Sequence, residues 1–554
     1  MDRLEEIEKE EREWAKLIEG CERKPEFKTY SGIPVKALYT PVDLKDHDYL
    51  EKVGFPGKPP YVRGVYPTMY RGKVWTTRMF SGFGTPEETN ERWKLLYKEG
   101  QTGFSAAVDS LTQAGMSPFD PRVGPEVGTD GVPLYCKPAV AAMVEGLPID
   151  KIGVALVVED AAATITASMY FNVYMERGFD LKTCMGTTQN DLLSMSIGCL
   201  QYRSLDPAHR LKLACDLIEW CTADKNVPKW NPINFTTYNY REGGIDAIQE
   251  LAFGFANAIE HINHLLERGR KIEEFVGRLA FHLSAHNDFF EEIAKYRAAR
   301  RIWYKLMKDR YGVTDPRLLI FRFHIQTAGS TLTRQQPMVN IVRIAYQALA
   351  AALGGVQSMH TNSYDEALCL PSEEAVLLAL RTQQVLKEET NITNVIDPLG
   401  GSYYVEWLTD EIEERVWQYL GKIEEAGGLT KTLETGWLYK EMTTAFNKRR
   451  RMIESGEEKV IGVNCYVTDE EIPIRVFRTN PNAQEIEKKR IEKLMAERDN
   501  RKVEELLDKL RKVCEREENV MPTVMELTRE GAINQEIYDV YREVWGEWKA
   551  NIVF

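Results

Sequence analysis

Eight short runs of β-forming residues, each followed by an amphipathic helical stretch, restrict this chain more than any other feature. The runs are VWTTRMF (74–80), GFSAAVD (103–109), IGVALVV (152–158), TCMGTTQ (183–189), PINFTTY (232–238), LAFHLSA (279–285), LIFRFHIQ (319–326) and GVQSMHT (355–361). Strands that alternate with helices pair in parallel, and eight such units suit closure into a barrel. An open doubly wound sheet gives the same alternation, so closure is an expectation. The helices carry their own punctuation. Thr85-Pro86-Glu87-Glu88 supplies a cap, a first-turn proline and a capping-box glutamate before ERWKLLYKEG, which Gly100 ends. Asp206-Pro207 opens the helix carrying Leu211, Leu213, Ala214, Leu217 and Ile218 in the same way.

The expected fold is α/β, a (β/α)8 TIM barrel with an N-terminal arm and a C-terminal helical extension. Residues 1–60, a charged helix followed by a Pro/Gly-rich stretch, read as an arm that contacts a partner subunit. The barrel takes 61–420, and 421–554 is helical. Within the last part, NAQEIEKKRIEKLMAERDNRKVEELLDKLRKV (482–513) alternates charges with a thin apolar stripe. That pattern suits a solvated helical extension or a docking surface for another subunit.

The 71 Lys and Arg against 84 Asp and Glu give a net charge of −13. That balance disfavours a general binder of nucleic acid or of membrane surfaces. The charged N-terminus and the lack of any apolar run of about 18 residues point to a cytoplasmic protein. Nine scattered cysteines without a CxxC pair read as free thiols, and no metal site is expected.

The strands are unexpectedly polar on one face. FRFHIQTAGS (321–330) places Arg322, His324 and Gln326 on the same side of a strand that should be buried. Burying an unpaired polar group costs roughly 2–7 kcal/mol, so these side chains must meet water, each other or a polar ligand. Across the runs the inward set is Thr76, Arg78, Ser105, Thr187, Gln189, Asn234, Thr236, His282, Ser284, His324, Gln326, Ser358 and His360. Barrel interiors are ordinarily filled by Val, Ile and Leu. Small hydroxyls and amides suit a lumen that holds an extended ligand rich in hydrogen-bonding groups.

YPTMYRGKVWTTRMFSGFGTPEETN (66–90) resembles the start of the substrate-binding barrel of the methylmalonyl-CoA mutase family. Further matches run in family order: GQTGFSAAVD (100–109), GTTQND (186–191), KWNPINFTTY (229–238), RLAFH (278–282), RFHIQTAGSTLT (322–333), GVQSMHTNSYDEAL (355–368) and VIDPLGGSYYVE (395–406). The resemblance covers roughly residues 66–465. It implies a coenzyme A thioester threaded along the barrel axis and radical carbon-skeleton rearrangement with adenosylcobalamin. Carried over by position, Tyr66, Thr68, Met69, Thr76, Arg78, Ser105 and Arg278 would hold the coenzyme A portion. Thr187, Gln189, His324 and Gln326 would surround the acyl group, and Glu242, Gly329 and Glu366 would lie against the corrin. The family's cobalt-ligating D-x-H-x-x-G motif is absent from this sequence. The chain is therefore expected to be a large subunit of a hetero-oligomer, paired with a small cobalamin-binding subunit.

Departures from the family pattern bear on substrate. Where methylmalonyl specificity uses a tyrosine and a carboxylate-pairing arginine, this chain has Phe80 and Cys199. Ala107 stands where 2-hydroxyisobutyryl-CoA mutases place an aspartate, and Asn239 where the family has a histidine near the thioester carbonyl. Phe80, Ala107 and Cys199 describe a less polar pocket that favours an uncharged branched or longer acyl chain. An alkyl-substituted dicarboxyl-CoA requires a new cation such as Arg241. Two rival readings are a metal-dependent hydrolase using His282, His286, His324 and His360, and a non-catalytic paralogue that binds acyl-CoA or a partner.

Overall fold

The computed structural model describes residues 3–123, 126–159, 161–194, 204–469, 474 and 476–549. All paired strands run parallel, and each of the eight expected runs carries one. The first strand spans 76–81; its Thr76–Thr77 half pairs with the eighth strand, Ser358–His360, and its Phe80–Ser81 half with the second, Phe104–Ala107. The third and fourth are Val154–Val157 and Gly186–Thr188. The fifth spans 230–236, pairing through Trp230–Asn231 with the fourth and through Ile233–Thr236 with the sixth, Leu279–Ala285. The seventh, Phe323–Thr327, joins the sixth to the eighth. The two five-stranded sheets thus share the first and fifth strands, which closes the ring in chain order.

Punctuation is as expected. Thr85 and Glu88 form a reciprocal capping box on helix Pro86–Lys98, and Gly100 follows with φ +101°, a conformation in which a side chain is strained. Asp206 caps helix Pro207–Thr222, accepting from the His209 backbone N–H.

The outward faces build the apolar shell. Phe235 and Phe281 meet at 5.1 Å between ring centres, and Phe281 meets Trp303 of helix Phe289–Lys305 at 5.1 Å. That helix is buried almost throughout and carries Arg297, Arg300 and Arg301, each 2% exposed or less. Charges so placed require partners. Arg297 bonds Asp397 and Glu406, Arg300 donates to the carbonyls of Val62 and Gly354, and Arg301 bonds Asp410, Glu413 and the Lys52 carbonyl. The N-terminal arm and helix Tyr403–Glu425 are thereby fixed to the barrel wall.

The segment 482–513 is two helices, Ala483–Glu497 and Asn500–Glu515, broken at Arg498, whose backbone is extended. Its stripe is not solvated. Ile491, Val503, Leu506, Leu510 and Cys514 share one core with Trp93, Phe104 and Leu156 of the barrel. This corrects the expectation of a solvated extension: spacing shows an apolar stripe but not what covers it. Among the described residues, no helix is long and apolar enough to cross a membrane.

The C-terminal end of the sixth strand is held by a buried ion cluster. Lys295 Nζ lies 2.7 Å from Glu250 and 2.8 Å from the Ser284 carbonyl, and also pairs with Glu292. Glu250 accepts the Ser284 N–H at 2.6 Å, and Arg241 donates to Glu292 at 3.2 Å. Removing one partner of such a cluster strands a buried charge at a cost of about 3–5 kcal/mol. Lys295→Met is therefore expected to lower unfolding stability by about that amount in urea titrations, and a loss below about 1 kcal/mol would contradict the assignment.

Candidate active site

Because side chains alternate along each strand, one residue in two faces the lumen. A cavity of about 170 Å³ lies there, lined by Arg78, Phe80, Ser105, Thr187, Gln189, Asn234, His282, Arg322, His324, Gln326 and Ser358 among others. The polar face of the seventh strand thus lies on this cavity. Thr76, Thr236, Ser284 and His360, also expected inward, do not line it. The Ser284 N–H and carbonyl serve the ion cluster, Thr236 donates to the Asn234 carbonyl at 3.2 Å, and His360 Nδ1 accepts the Phe80 N–H at 2.9 Å.

The cationic end of the lumen is at the N-terminal ends of the strands. Arg278 just precedes the sixth strand and Arg322 the seventh; burial and the charge of Arg322 both push the Arg278 pKa down. Arg322 donates to the Gly277 carbonyl, whereas Arg278 forms no ion pair or hydrogen bond among the described residues. Arg78 donates to the Phe104 carbonyl at 2.6 Å, and burial lowers its pKa to about 10, so it stays charged at neutral pH. Tyr66, Thr68 and Met69 precede the first strand and do not line the cavity. Tyr66 and Thr68 are exposed, while Met69 is buried, its sulfur accepting the Tyr66 N–H at 3.5 Å.

Further along, the lumen is lined by imidazoles and amides. His282 and His324 meet edge to face at 4.8 Å, Tyr238 stacks on His282 at 5.3 Å, and His324 Nδ1 lies 2.9 Å from Ser358 Oγ. Burial pushes the pKa of His282 and of His360 down to about 3, and that of His324 well below the usual histidine range. All three imidazoles are neutral at pH 7. Gln326 donates to Asn362 Oδ1 at 3.0 Å. Gln189 and Asn239 both point their amide nitrogens at Glu159 Oε1, at 3.2 and 3.5 Å. Cys199 lies outside the described residues.

Glu242, Gly329 and Glu366 gather at the C-terminal mouth. Glu242 accepts from the backbone and hydroxyl of Ser330, and burial raises its pKa to about 7. Burial and the nearby Glu242 raise Glu366 to about 8, and its carboxyl has no hydrogen bond among the described residues. A Cβ on Gly329 would sit 3.0 Å from Glu242 and 3.1 Å from Asn362 Nδ2, so a side chain there would fill the floor of this mouth.

Arg241 is not a candidate for the acyl end. It is 4% exposed and committed to Glu292, Glu250 and the Ile245 carbonyl. His286 lines a separate small cavity with Tyr30, Arg241 and Arg449. Glu159, Tyr238 and Asn362 were not singled out from the sequence. Glu159 had a usable signal: a charged residue directly after an apolar barrel strand, at the end where barrel enzymes place their chemistry.

The parallel barrel thus has a hydrogen-bonding lumen with arginines at one end and carboxyls at the other. Residues 28–547 match the family described as methylmalonyl-CoA mutase, and the chain belongs to that family. It is an isomerase of the acyl-CoA mutase type, with adenosylcobalamin as cofactor. It is 40% identical over 557 residues to the 2-hydroxyisobutanoyl-CoA mutase large subunit of Aquincola tertiaricarbonis, covering 99% of this chain and 98% of the relative. It is 36% identical over 527 residues to methylmalonyl-CoA mutase of Cereibacter sphaeroides (95% and 73%), and 35% identical over 550 to the human mitochondrial enzyme (97% and 72%). The residues of this mouth fit such a group: no side chain stands on the Gly329 floor, and the Glu366 carboxyl is without a hydrogen bond among the described residues.

The shifted groups make stability depend on pH in two opposed ways. His282 and His360 bind fewer protons folded than unfolded between about pH 6.5 and 3, so their contribution is present above 6.5 and is lost as pH falls through 3. Glu242 and Glu366 bind more protons folded, so theirs is complete below about 4.5 and is lost as pH rises through about 7 and 8. Urea midpoints are expected to fall on both sides, and the double variant E242Q/E366Q to lessen the alkaline fall alone, which Glu291 and Glu487, raised by burial to about 8 and about 7, also share. An unchanged alkaline limb would contradict the placement of these carboxyls.

Proposed function

We propose that this chain is the substrate-binding subunit of a two-subunit acyl-CoA mutase whose acyl group carries no charge. The observation that supports this reading most is the lumen itself. Its cations lie toward the N-terminal mouth and its neutral imidazoles and amides toward the acyl end. The phosphates of coenzyme A meet Arg278, which has no hydrogen bond or ion pair among the described residues, and Arg322 near it. The pantetheine arm runs past Arg78, Ser105 and Thr187, and its amides find donors and acceptors on the wall. Gln189, His324, Gln326 and Asn239 surround the acyl group, and Phe80 covers one side of it.

A second carboxylate would be poorly served there. Among the described residues, Arg241 is committed to glutamates and the histidines are neutral, so a free acyl carboxylate would find Arg78, which already donates to the Phe104 carbonyl, as its nearest cation on this wall. That disfavours both methylmalonyl-CoA and an alkyl-substituted dicarboxyl-CoA, and favours a branched or longer neutral acyl chain.

Glu242, Gly329 and Glu366 would receive the corrin, presented by a small cobalamin-binding subunit. The Aquincola relative is a large subunit that aligns with 99% of this chain, which supports such a partner. Once bound, adenosylcobalamin supplies the carbon radical that takes hydrogen from the substrate. The chain's own residues then orient the thioester carbonyl through neutral hydrogen bonds, hold the acyl group near the C-terminal mouth and keep water away. No histidine need change protonation. The described cysteines are unpaired, which suits a reducing cytoplasm.

The test is to reconstitute the chain with a cognate small subunit and adenosylcobalamin and to assay isobutyryl-, pivalyl-, 2-hydroxyisobutyryl-, ethylmalonyl- and methylmalonyl-CoA. Turnover of a neutral branched thioester is expected, whereas efficient turnover of methylmalonyl-CoA would overturn the uncharged pocket. Arg278→Met is expected to raise KM roughly tenfold with kcat little changed, as for a group that binds ground and transition state alike. An equal loss in kcat would place Arg278 elsewhere.

A further inference from the structure

Helix Val339–Leu353, which follows the seventh strand, buries Ile344, Ala348 and Ala351 on one face. On the opposite face Met338, Val342 and Tyr346 stand four residues apart, and the last two are 53% and 62% exposed. The solvent side of such a helix is ordinarily polar. The loop after helix Trp437–Ser455 lies beside this stripe. Arg343 donates to the Ile461 carbonyl at 2.8 Å, and Gln336 to the Tyr466 carbonyl at 2.8 Å and the Thr468 hydroxyl at 3.2 Å. The loop adds Ile461, Val467 and Tyr466 to the exposed apolar surface, Tyr466 at 80%. Tyr466 is held at φ +51°, strained for a bulky residue, with its ring left in solvent. The patch borders the mouth. Asn340 donates to the Tyr364 carbonyl at 2.9 Å, and Met338 shares an open groove with Tyr364 and Asp365, the two residues before Glu366. Eight residues before Met338, Ser330 donates its N–H to Glu242. The patch also carries charge. Arg343 gives its N–H groups to Thr333 Oγ1, Asn340 Oδ1 and the Ile461 carbonyl, all neutral, and among the described residues neither it nor the exposed Arg334 has an acidic partner.

We infer that this rim is the seat of the cobalamin-bearing partner subunit, which meets it with an apolar surface carrying carboxylates. The inference rests on the two-subunit reading above and adds where the partner sits, on the seventh-strand side of the mouth. Exposed apolar residues that run from a helix face onto a neighbouring loop mark an interaction surface. The chemistry of the patch gives the chemistry of its cover: apolar against Val342, Tyr346 and Tyr466, acidic toward Arg334 and Arg343. A second copy of this chain fits less well. A two-fold interface would set the same patch against itself, arginines included, and would crowd the mouth that the corrin has to reach. A partner that brings the corrin meets both demands with one contact.

The test is a calorimetric titration of the cognate small subunit, loaded with cobalamin, into the full chain. Wild type is compared with V342D/Y346D and, separately, Y466D, and the control is M175D, an exposed apolar position at the C-terminal end of helix Ala162–Glu176. Both rim variants are expected to raise Kd about tenfold or more, as for anchors within an interface, and M175D to stay within about twofold. The substituted rim side chains line neither the lumen nor the mouth, so kcat at saturating small subunit is expected to stay within about twofold of wild type. Damage to the site itself would lower kcat. Sedimentation of the chain alone is expected to be the same for wild type and V342D/Y346D. An unchanged Kd in the folded rim variants would overturn the inference and leave the two-subunit reading intact. Dissociation of the chain's own oligomer by V342D/Y346D would overturn it in favour of a second copy. Failure of the wild type to bind the loaded small subunit would overturn the two-subunit reading and this inference with it.

Discussion

The structure depends on one constraint, the two-residue repeat of a strand that must face helices on one side and an unfilled lumen on the other. In the sixth and seventh strands Phe281, Leu283, Phe323 and Ile325 face the shell while His282, His324 and Gln326 face inward. Registers align these positions around the ring, with His282 opposite His324 and His324 opposite Ser358. A slip of one residue would bury the imidazoles among phenylalanines and expose the phenylalanines to the lumen. The apolar shell therefore specifies the polar interior. Stability rests on the outside of the barrel, which leaves the inside free for a ligand.

Charge is managed by the same separation. The deeply buried arginines and Lys295 sit between strands and helices, each tied to glutamates, aspartates or carbonyls. Arg241 belongs to that set. Inside the barrel the remaining cations lie toward the N-terminal mouth, and burial keeps the histidines neutral. A cluster of arginines, a passage lined by imidazoles and amides and a glycine-floored mouth bearing two carboxyls thus follow one another along a single axis. In the proposed function that order has a meaning, since the CoA thioester and the corrin would meet at the carboxyl-bearing mouth.

Much of this was legible in the sequence, for reasons that can be named. The strand runs, the capping box at Thr85 and Glu88 and the Asp206-Pro207 start are local signals, and local signals survive in one dimension. The polar face of 322–326 was legible because alternation is a property of the strand itself. What escaped depends on contacts between distant residues. Glu159 meets Asn239 across 80 positions, and no spacing rule links them. Arg241 looked available because its glutamate partners lie on other elements. The 482–513 stripe looked solvated because spacing does not show what covers it: helices Met521–Arg529 and Asn534–Trp545 pack on its second helix, and helix Lys137–Met143 on its first. The neutrality of three histidines is a property of burial, which composition does not carry.

The central claim is that the lumen is a thioester site and not a packed core with polar defects. The most direct measurement is a crystal structure of the chain with a non-reactive acyl-CoA analogue, a thioether in place of the thioester. The account predicts the pantetheine arm inside the barrel, within hydrogen-bonding reach of Ser105 and Gln326, with phosphates against Arg278 and Arg322 and the acyl end beside His282. An analogue bound outside the barrel, or a lumen that stays closed at saturating ligand, would contradict it.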